Sequence, residues 1–388
     1  MVPKGWQFSK LGSVAELQRG FDLPSTKRID GNVPIVSSSG VSGYHNEHKV
    51  EKPGIVTGRY GSIGNVYYVE KDFWPLNTSL WVKDFYGNYP KFIYYLLSSF
   101  DFKKFSDKTG VPGVNRNDLH AVKVLVPPIL EQQRIVKILS TWDKAISTTE
   151  RLIDNSTQQK KALMQQLLTG KKRLLDESGK RFEGEWKIKK VSDYFDVSSS
   201  KRVLQEDWKD EGVPFYRTRE LVSLAKNEPF RSSIYIAEGY YKKLITKYGM
   251  PDEGDFLVSG VGTLGVIYQV RENDKFYFKD GNVLWFRKEK EVSSDFFKYC
   301  FLSDYIRNQI NIQASVTTVG TYTITNAKKT RFHCPPLEEQ QKIATVLTNA
   351  DKEIELLEQQ LADLQQEKKA LMQVLLTGKK RVVVDGEC

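Results

Sequence analysis

The chain has 388 residues, of which 40% are hydrophobic, 27% charged and 12% aromatic. That composition excludes a disordered chain and leaves room for two or three domains of about 100–200 residues each. No apolar run approaches the roughly 18–20 residues needed to cross a bilayer. Residues 1–11 lack a signal-peptide pattern, and Cys300, Cys334 and Cys388 are widely spaced with no C-x-x-C pair. Membrane and secreted classes fall away, no disulfide framework or cysteine zinc site is expected, and a reducing cytoplasm is the expected compartment. Lys and Arg number 58 against 48 acids, a formal charge of +10. Such a balance steers a chain toward phosphate, but many solvated surfaces carry as much.

In chain order, residues 1–126 read as a mixed α/β unit. Short runs such as Val66–Val69 and Leu80–Val82 suggest strands between Gly, Asn and Asp turns, and Phe92–Phe100 suggests a helix. Residues 127–173 then read as one long helix. It opens on Pro127-Pro128, carries Glu131 in its first turn, and meets Gly170 and a basic triplet at its end, as the helix dipole favours. Residues 174–334 return to mixed α/β, with strands at Val266–Val270 and Val283–Phe286 and a helix over Phe296–Ile310. Residues 335–381 form a second long helix, and 382–388 a short tail.

The chain is duplicated. Sliding 127–173 by 208 positions onto 335–381 aligns 47 pairs without a gap, and 25 are identical. The preceding units correspond loosely: Trp6 with Trp186, Val33-Pro34 with Val213-Pro214, Gly61-Ser-Ile-Gly64 with Gly262-Thr-Leu-Gly265, and Leu80-Trp81 with Leu284-Trp285. In the second long helix, Ile343, Leu347, Ala350, Ile354, Leu357, Leu361, Leu364, Lys368, Leu371 and Leu375 follow steps of four and three, a heptad seam. The first copy has the same ladder with apolar ends and a polar middle. About 40 residues rising 1.5 Å each give a rod of roughly 60 Å, whose stripe needs a partner. The other copy is the cheapest one, which predicts an antiparallel pair. Lys160 and Lys368 interrupt both seams at the same place, as a register device or as a docking surface.

No catalytic constellation is present. Gly260-x-Gly262-x-x-Gly265 matches a dinucleotide fingerprint, but Val266–Val270 after it reads as a strand, so the glycines predict a tight hairpin. There is no P-loop. His45-x-x-His48 lacks a nearby third ligand, and His120 and His333 sit just before the Pro-Pro helix starts, as packing residues. No metal ligand set and no catalytic residue is expected. Polar, basic and aromatic loop residues remain, at matching places in both units. In the first they are Arg59, Tyr60, Ser62, Asn77, Thr78, Lys108, Asn115 and Arg116. In the second they are Arg217, Thr218, Arg219, Ser259, Lys279, Asn282, Thr318, Thr321 and Tyr322. Such side chains read base edges or grip phosphate, and each is also an ordinary turn residue.

This pattern resembles the specificity subunit of type I restriction–modification enzymes across nearly the whole chain. The resemblance rests on two dissimilar units, each followed by a helix opening Pro-Pro-x-x-Glu-Gln-Gln and closing Leu-Leu-Thr-Gly-Lys-Lys-Arg. It rests also on Trp6 and Trp186 at the domain starts and on Thr109-Gly-Val-Pro-Gly-Val-Asn-Arg-Asn-Asp-Leu119. It implies an α+β fold in which two α/β target-recognition domains are joined by two long helices in an antiparallel coiled coil, pseudo-two-fold symmetric. It implies a non-catalytic subunit that binds double-stranded DNA, each domain reading half of an asymmetric bipartite site while the helices set the spacer. Its partners would be two methyltransferase subunits, docked at Gln132, Gln133, Gln340 and Gln341, and two restriction subunits. S-adenosylmethionine, ATP and Mg would sit on those partners and not on this chain. In the second domain Gly320-Thr-Tyr-Thr-Ile-Thr-Asn326 departs from the family pattern. Two other classes fit the residues themselves: a self-sufficient enzyme with an unfamiliar site, and a coiled-coil scaffold whose end domains bind protein or RNA.

Overall fold

The computed structural model describes residues 2–105, 113–230, 234–314 and 320–382. The chain divides into two compact units, Met1–Leu152 with Glu358–Cys388, and Ile153–Leu357. The division falls inside both long helices, Ile129–Leu167 and Leu337–Leu375. Each unit thus combines one mixed α/β domain with the start of one repeat helix and the end of the other.

In the first unit a four-stranded antiparallel sheet runs in the order Glu16–Arg19, Ser79–Asp84, Gly54–Gly58, Val66–Val69. Gly40–His45, Val33–Ser37 and Trp74–Pro75 make a smaller sheet, and Gln7–Lys10 pairs with Lys123–Val126 just before the long helix. Helix Pro90–Ser98 begins on proline, which suits the first turn, and buries Phe92, Ile93, Leu96 and Leu97. These close on Leu11, Ile55, Leu80 and Val82 from the domain. Ile135 and Leu139 of the first long helix, and Leu375 and Leu376 from the end of the second, complete the same core.

The second unit repeats this plan. Its main sheet runs Phe195–Ser199, Val283–Lys288, Phe256–Ser259, Ile267–Gln269, and Lys187–Lys190 pairs with Arg331–Cys334. Ile343 and Leu347 of one repeat and Leu167 and Leu168 of the other lie in its core with Phe195, Phe256, Phe286 and Phe297. The smaller sheet has four strands in this copy, and the extra length supplies one of them, Tyr235–Ile236, with helices Thr218–Ala225 and Glu238–Tyr248; the enlarged region carries its own apolar clusters. The single helix expected over Phe296–Ile310 is two, Ser294–Leu302 and Asp304–Ala314. Ser303 breaks it by turning extended (φ −70°, ψ 153°) while its amide and hydroxyl both donate to the Cys300 carbonyl.

Within each unit the repeat helices meet through reciprocal polar pairs. Glu131 is buried and accepts two hydrogen bonds from Arg381, at 2.7 and 2.8 Å, and one from the Trp6 indole at 2.9 Å. In the second unit the equivalent Glu339 accepts from Arg173 at 2.6 and 2.8 Å and from Trp186 at 3.1 Å. Further along, Lys368 pairs with Asp143 and Lys160 with Asp351, and each of these carboxylates also accepts from a tyrosine, Tyr95 or Tyr299. In the first unit the partner of residue 131 is 381 and that of 143 is 368, so the two helix segments run in opposite directions. The seam lysines are therefore bound to acids of the other copy. A charged pair held in a partly dry seam costs more to misalign than an apolar contact does.

Candidate nucleic-acid interface

In the first unit the candidate residues gather where three loops leave the main sheet. The amides of Arg59 and Tyr60 donate to the Thr78 carbonyl (2.9 and 3.2 Å), and the Val114 amide donates to the Arg59 carbonyl at 2.9 Å. Tyr60 bridges Gly113, and the Arg59 guanidinium lies 4.5 Å from the Tyr60 ring centroid. A side chain on Gly58 would meet the Ser62 carbonyl oxygen at 2.0 Å, so only glycine allows this close loop. Arg59, Tyr60, Ser62, Asn77 and Thr78 are thus held together, with Tyr60 exposed. Asn115 and Arg116 follow directly, but the Asn115 side chain caps helix Arg116–Ala121 by accepting from the Asn117 amide at 2.9 Å. Lys108 lies outside the described residues.

The second unit builds the same frame from different side chains. The Gly260 amide donates to the Asn282 carbonyl and the Tyr322 amide to the Gly260 carbonyl, both at 2.8 Å, and Val261 bridges Thr321. Gly260 thus stands where Arg59 does, Asn282 where Thr78 does, and Tyr322 where the buried Val114 does. The Lys279 amide donates to the Tyr216 carbonyl at 2.8 Å, placing Lys279 beside Arg217. The Gly260–Gly265 glycines form the turn between two antiparallel strands, with Gly262 and Gly265 at φ 79° and 68°. That is a hairpin and not a phosphate-binding strand–helix turn.

Several expected contact residues are placed in structural roles. Ser259 is fully buried; its hydroxyl donates to the Thr263 carbonyl and accepts from the Val266 amide at 2.8 Å, closing the hairpin. Tyr322 is buried against Phe301, and its hydroxyl bonds Thr330 at 2.8 Å. Neither can reach a base, so both are corrected to internal positions. Arg217 and Arg219 converge on the buried Glu220, at 2.8 and 2.9 Å. Burial pushes the Glu220 carboxyl up, and the hydrogen bonds from both arginines overcome that and hold it below its usual range. Thr218 opens the helix that carries Glu220. Thr318 lies outside the described residues.

Of the four glutamines, Gln132 and Gln340 are only 2% exposed. Gln132 bonds the Tyr89 amide, Asn88 and the Pro127 carbonyl, and Gln340 bonds the Ser293 amide and the Pro335 carbonyl. They fasten each domain to its own helix and leave no surface for a partner, whereas Gln133 and Gln341 are exposed. His45 is buried, hydrogen-bonded to Ile29 and edge-on to Trp74. The His120 ring accepts from the Leu17 amide at 2.8 Å, and burial, then the charge of Arg116, holds its pKa below the usual value. Among the described residues, no group of three or more His, Cys, Asp or Glu could hold a metal, and no helix is long and apolar enough to cross a membrane.

Two residues that no motif flagged, Asp22 and Arg19, join the candidate cluster of the first unit. Asp22 accepts a hydrogen bond from the Asn77 side-chain amide and lies 3.4 Å from Arg19. An isolated aspartate after Gly20-Phe21 carries no periodic signal; only the fold brings it to Asn77.

The same loop frame thus recurs on duplicated helices with different side chains on it. Residues 3–155 and 183–366 match the family described as Type I restriction modification DNA specificity domain, and the chain belongs to that family. The Type I restriction enzyme MjaVIII specificity subunit of Methanocaldococcus jannaschii is 27% identical over 293 residues, spanning 71% of this chain and 66% of that protein. The type I restriction-modification system S subunit from M. genitalium has the same fold, with TM-score 0.62 at 16% identity over 97% of this chain and 96% of that one. So does a chain from a study of complex assembly and conformational transition of the type I R-M system, with TM-score 0.60 at 17% identity over 98% and 100%. Proteins of this class are specificity subunits and non-catalytic, and this chain is one of them.

Proposed function

We propose that this chain is the sequence-reading subunit of a type I complex, with recognition domains at 1–126 and 174–334 that each read one half of an asymmetric, bipartite double-stranded DNA site. The observation that carries this reading is the repeated loop frame. The hydrogen bonds that hold Arg59 to Thr78 and Val114 recur between Gly260, Asn282 and Tyr322 while the exposed side chains differ. Identical scaffolds with different reading groups suit two unlike half-sites. Base reading falls to Arg59, Tyr60, Ser62, Asn77 and Thr78 in one domain, with Arg116 beside them. In the other it falls to Lys279, Asn282 and Thr321, and to Arg217 and Arg219, which stay partly exposed while Glu220 holds them.

In this reading the repeats at 127–173 and 335–381 pair as an antiparallel coiled coil that fixes the unread spacer; the reciprocal Lys–Asp and Arg–Glu pairs support that register. Like helices meet like partners. Two methyltransferase subunits carrying S-adenosylmethionine dock near the exposed Gln133 and Gln341, and restriction subunits supply ATP- and Mg-dependent cleavage. The test is to co-express the chain with a methyltransferase subunit of the same system and map modified adenines across the host genome. A split, asymmetric motif modified only when this chain is present is the expected result. An undivided or perfectly palindromic target overturns it, as does no modification by a stable complex that binds S-adenosylmethionine.

A further inference from the structure

We infer that Asn77 reads an adenine in the half-site of the first domain, and that Asp22 is the positioning residue that orients it. This rests on the DNA-reading function proposed above and names one of its contacts.

An asparagine side chain matches the major-groove edge of adenine because its N–H donates to N7 while its carbonyl oxygen accepts from the N6 amine. A freely rotating amide presents that pair in the right sense only part of the time, since its two ends look alike in outline and differ in polarity. Here the sense is decided. The Asp22 carboxylate can only accept, so it takes one of the two Nδ2 protons of Asn77. Among the described residues the remaining Nδ2 proton and Oδ1 have no partner within the chain, and they form the donor–acceptor pair that adenine requires.

The backbone beneath is rigid. The Asn77 amide donates to the Phe21 carbonyl at 3.0 Å, the Phe21 amide to the Pro75 carbonyl at 2.7 Å, and the Gly20 amide to the Ser79 carbonyl at 3.1 Å. A Cβ on Gly20 would lie 2.2 Å from the Leu76 carbonyl oxygen, so the two segments touch without side chains between them. Phe21 is wedged against Trp74 and Trp81. Arg19, 3.4 Å from Asp22, offsets the carboxylate charge that would otherwise repel phosphate. Both Asn77 and Asp22 reach solvent. In the second domain the strand following this loop, Val283–Lys288, aligns with Ser79–Asp84, which puts Gly281 at the place of Asn77. A glycine reads nothing, so the adenine contact belongs to the first half-site alone.

The experiment maps adenine methylation by the intact complex for wild type, Asn77→Ala, Asp22→Ala and Asp22→Asn. Wild type must first give a split motif; if it does not, the proposed function fails and the variants are not needed. Given that motif, Asn77→Ala relaxes one A·T pair of one half-site, with discrimination there falling about 5- to 150-fold, and leaves the other half-site unchanged. Asp22→Ala relaxes the same pair to a smaller extent. Asp22→Asn, which keeps an acceptor, retains most of the discrimination; a merely structural role would not give that single-position pattern or its rescue. An unchanged half-site in Asn77→Ala overturns the inference while leaving the DNA-reading function standing. Uniform weakening at every position does the same, reducing Asn77 to a backbone contact.

Discussion

Replacing Arg381 by alanine should open the first unit selectively. Glu131 has a side chain only 2% exposed, and among the described residues Arg381 supplies two of the three hydrogen bonds its carboxylate accepts. Removing one partner of a fully buried pair costs about 3–5 kcal/mol. Arg381 is 39% exposed, so water can enter the vacated space and the cost is discounted to about 2 kcal/mol. At 1.4 kcal/mol per decade this is about a 30-fold rise in the opening equilibrium. Hydrogen exchange is the suitable assay, because a two-unit chain need not unfold in two states. Amides of Lys123–Val126 and of the helix turns around Ile135 and Leu139 should lose about 30-fold protection. Those around the intact Arg173–Glu339 pair should keep theirs, serving as an internal control. Arg381→Lys should lose part of the protection, since an ammonium cannot form the parallel pair of bonds. Unchanged protection in Arg381→Ala would refute the claim that this clasp holds the end of the second helix to the first domain.

Three further outcomes follow from particular residues. The folded-state pKa of His120 is depressed, so its neutral ring contributes stability above the unfolded value of about 6.5 that is lost as pH falls through the lower folded value. Protection of Glu16–Arg19 should therefore fall more steeply between pH 7 and 5 in wild type than in His120→Gln, and equal slopes would argue against a half-buried neutral imidazole accepting from the Leu17 amide. Ser259→Ala and Tyr322→Phe should each lower the stability of the second unit by about 1 kcal/mol, measured by exchange, and leave the methylated motif unchanged; an altered motif would return either residue to the DNA-contact set. Inserting four residues near Ser156 adds roughly 6 Å of helix, and at 3.4 Å per base pair the unread spacer should lengthen by about two base pairs. An unchanged spacer in the mapped motif would show that the helices are not the ruler.

The duplication, the two long helices and the family were legible in the sequence because they are local or repetitive. Pro-Pro starts, Gly170 and Gly378, and an aligned block of 47 residues with 25 identities need no tertiary information. The same periodicity failed at Ser303, where two short amphipathic helices in succession look like one until the backbone between them turns extended. The roles of Lys160 and Lys368 were equally open, since a charge in an apolar seam looks the same whether it faces a partner protein or an acid 191 or 225 positions away.

Polar loop residues were the least legible. Ser259, Asn77 and Gln132 are all small or medium polar side chains beside turns, yet one closes a hairpin, one faces solvent and one fastens a domain to its helix. Which of these a residue does depends on burial and on the partners brought to it through space. Composition and repetition therefore decided what kind of protein this is, because hydrophobic period and capping act over a few neighbouring residues. Only the tertiary structure decided which side chains are free to read and which, like Tyr322 and Gln340, are already spent inside. Burial and hydrogen-bond satisfaction belong to the packed chain as a whole.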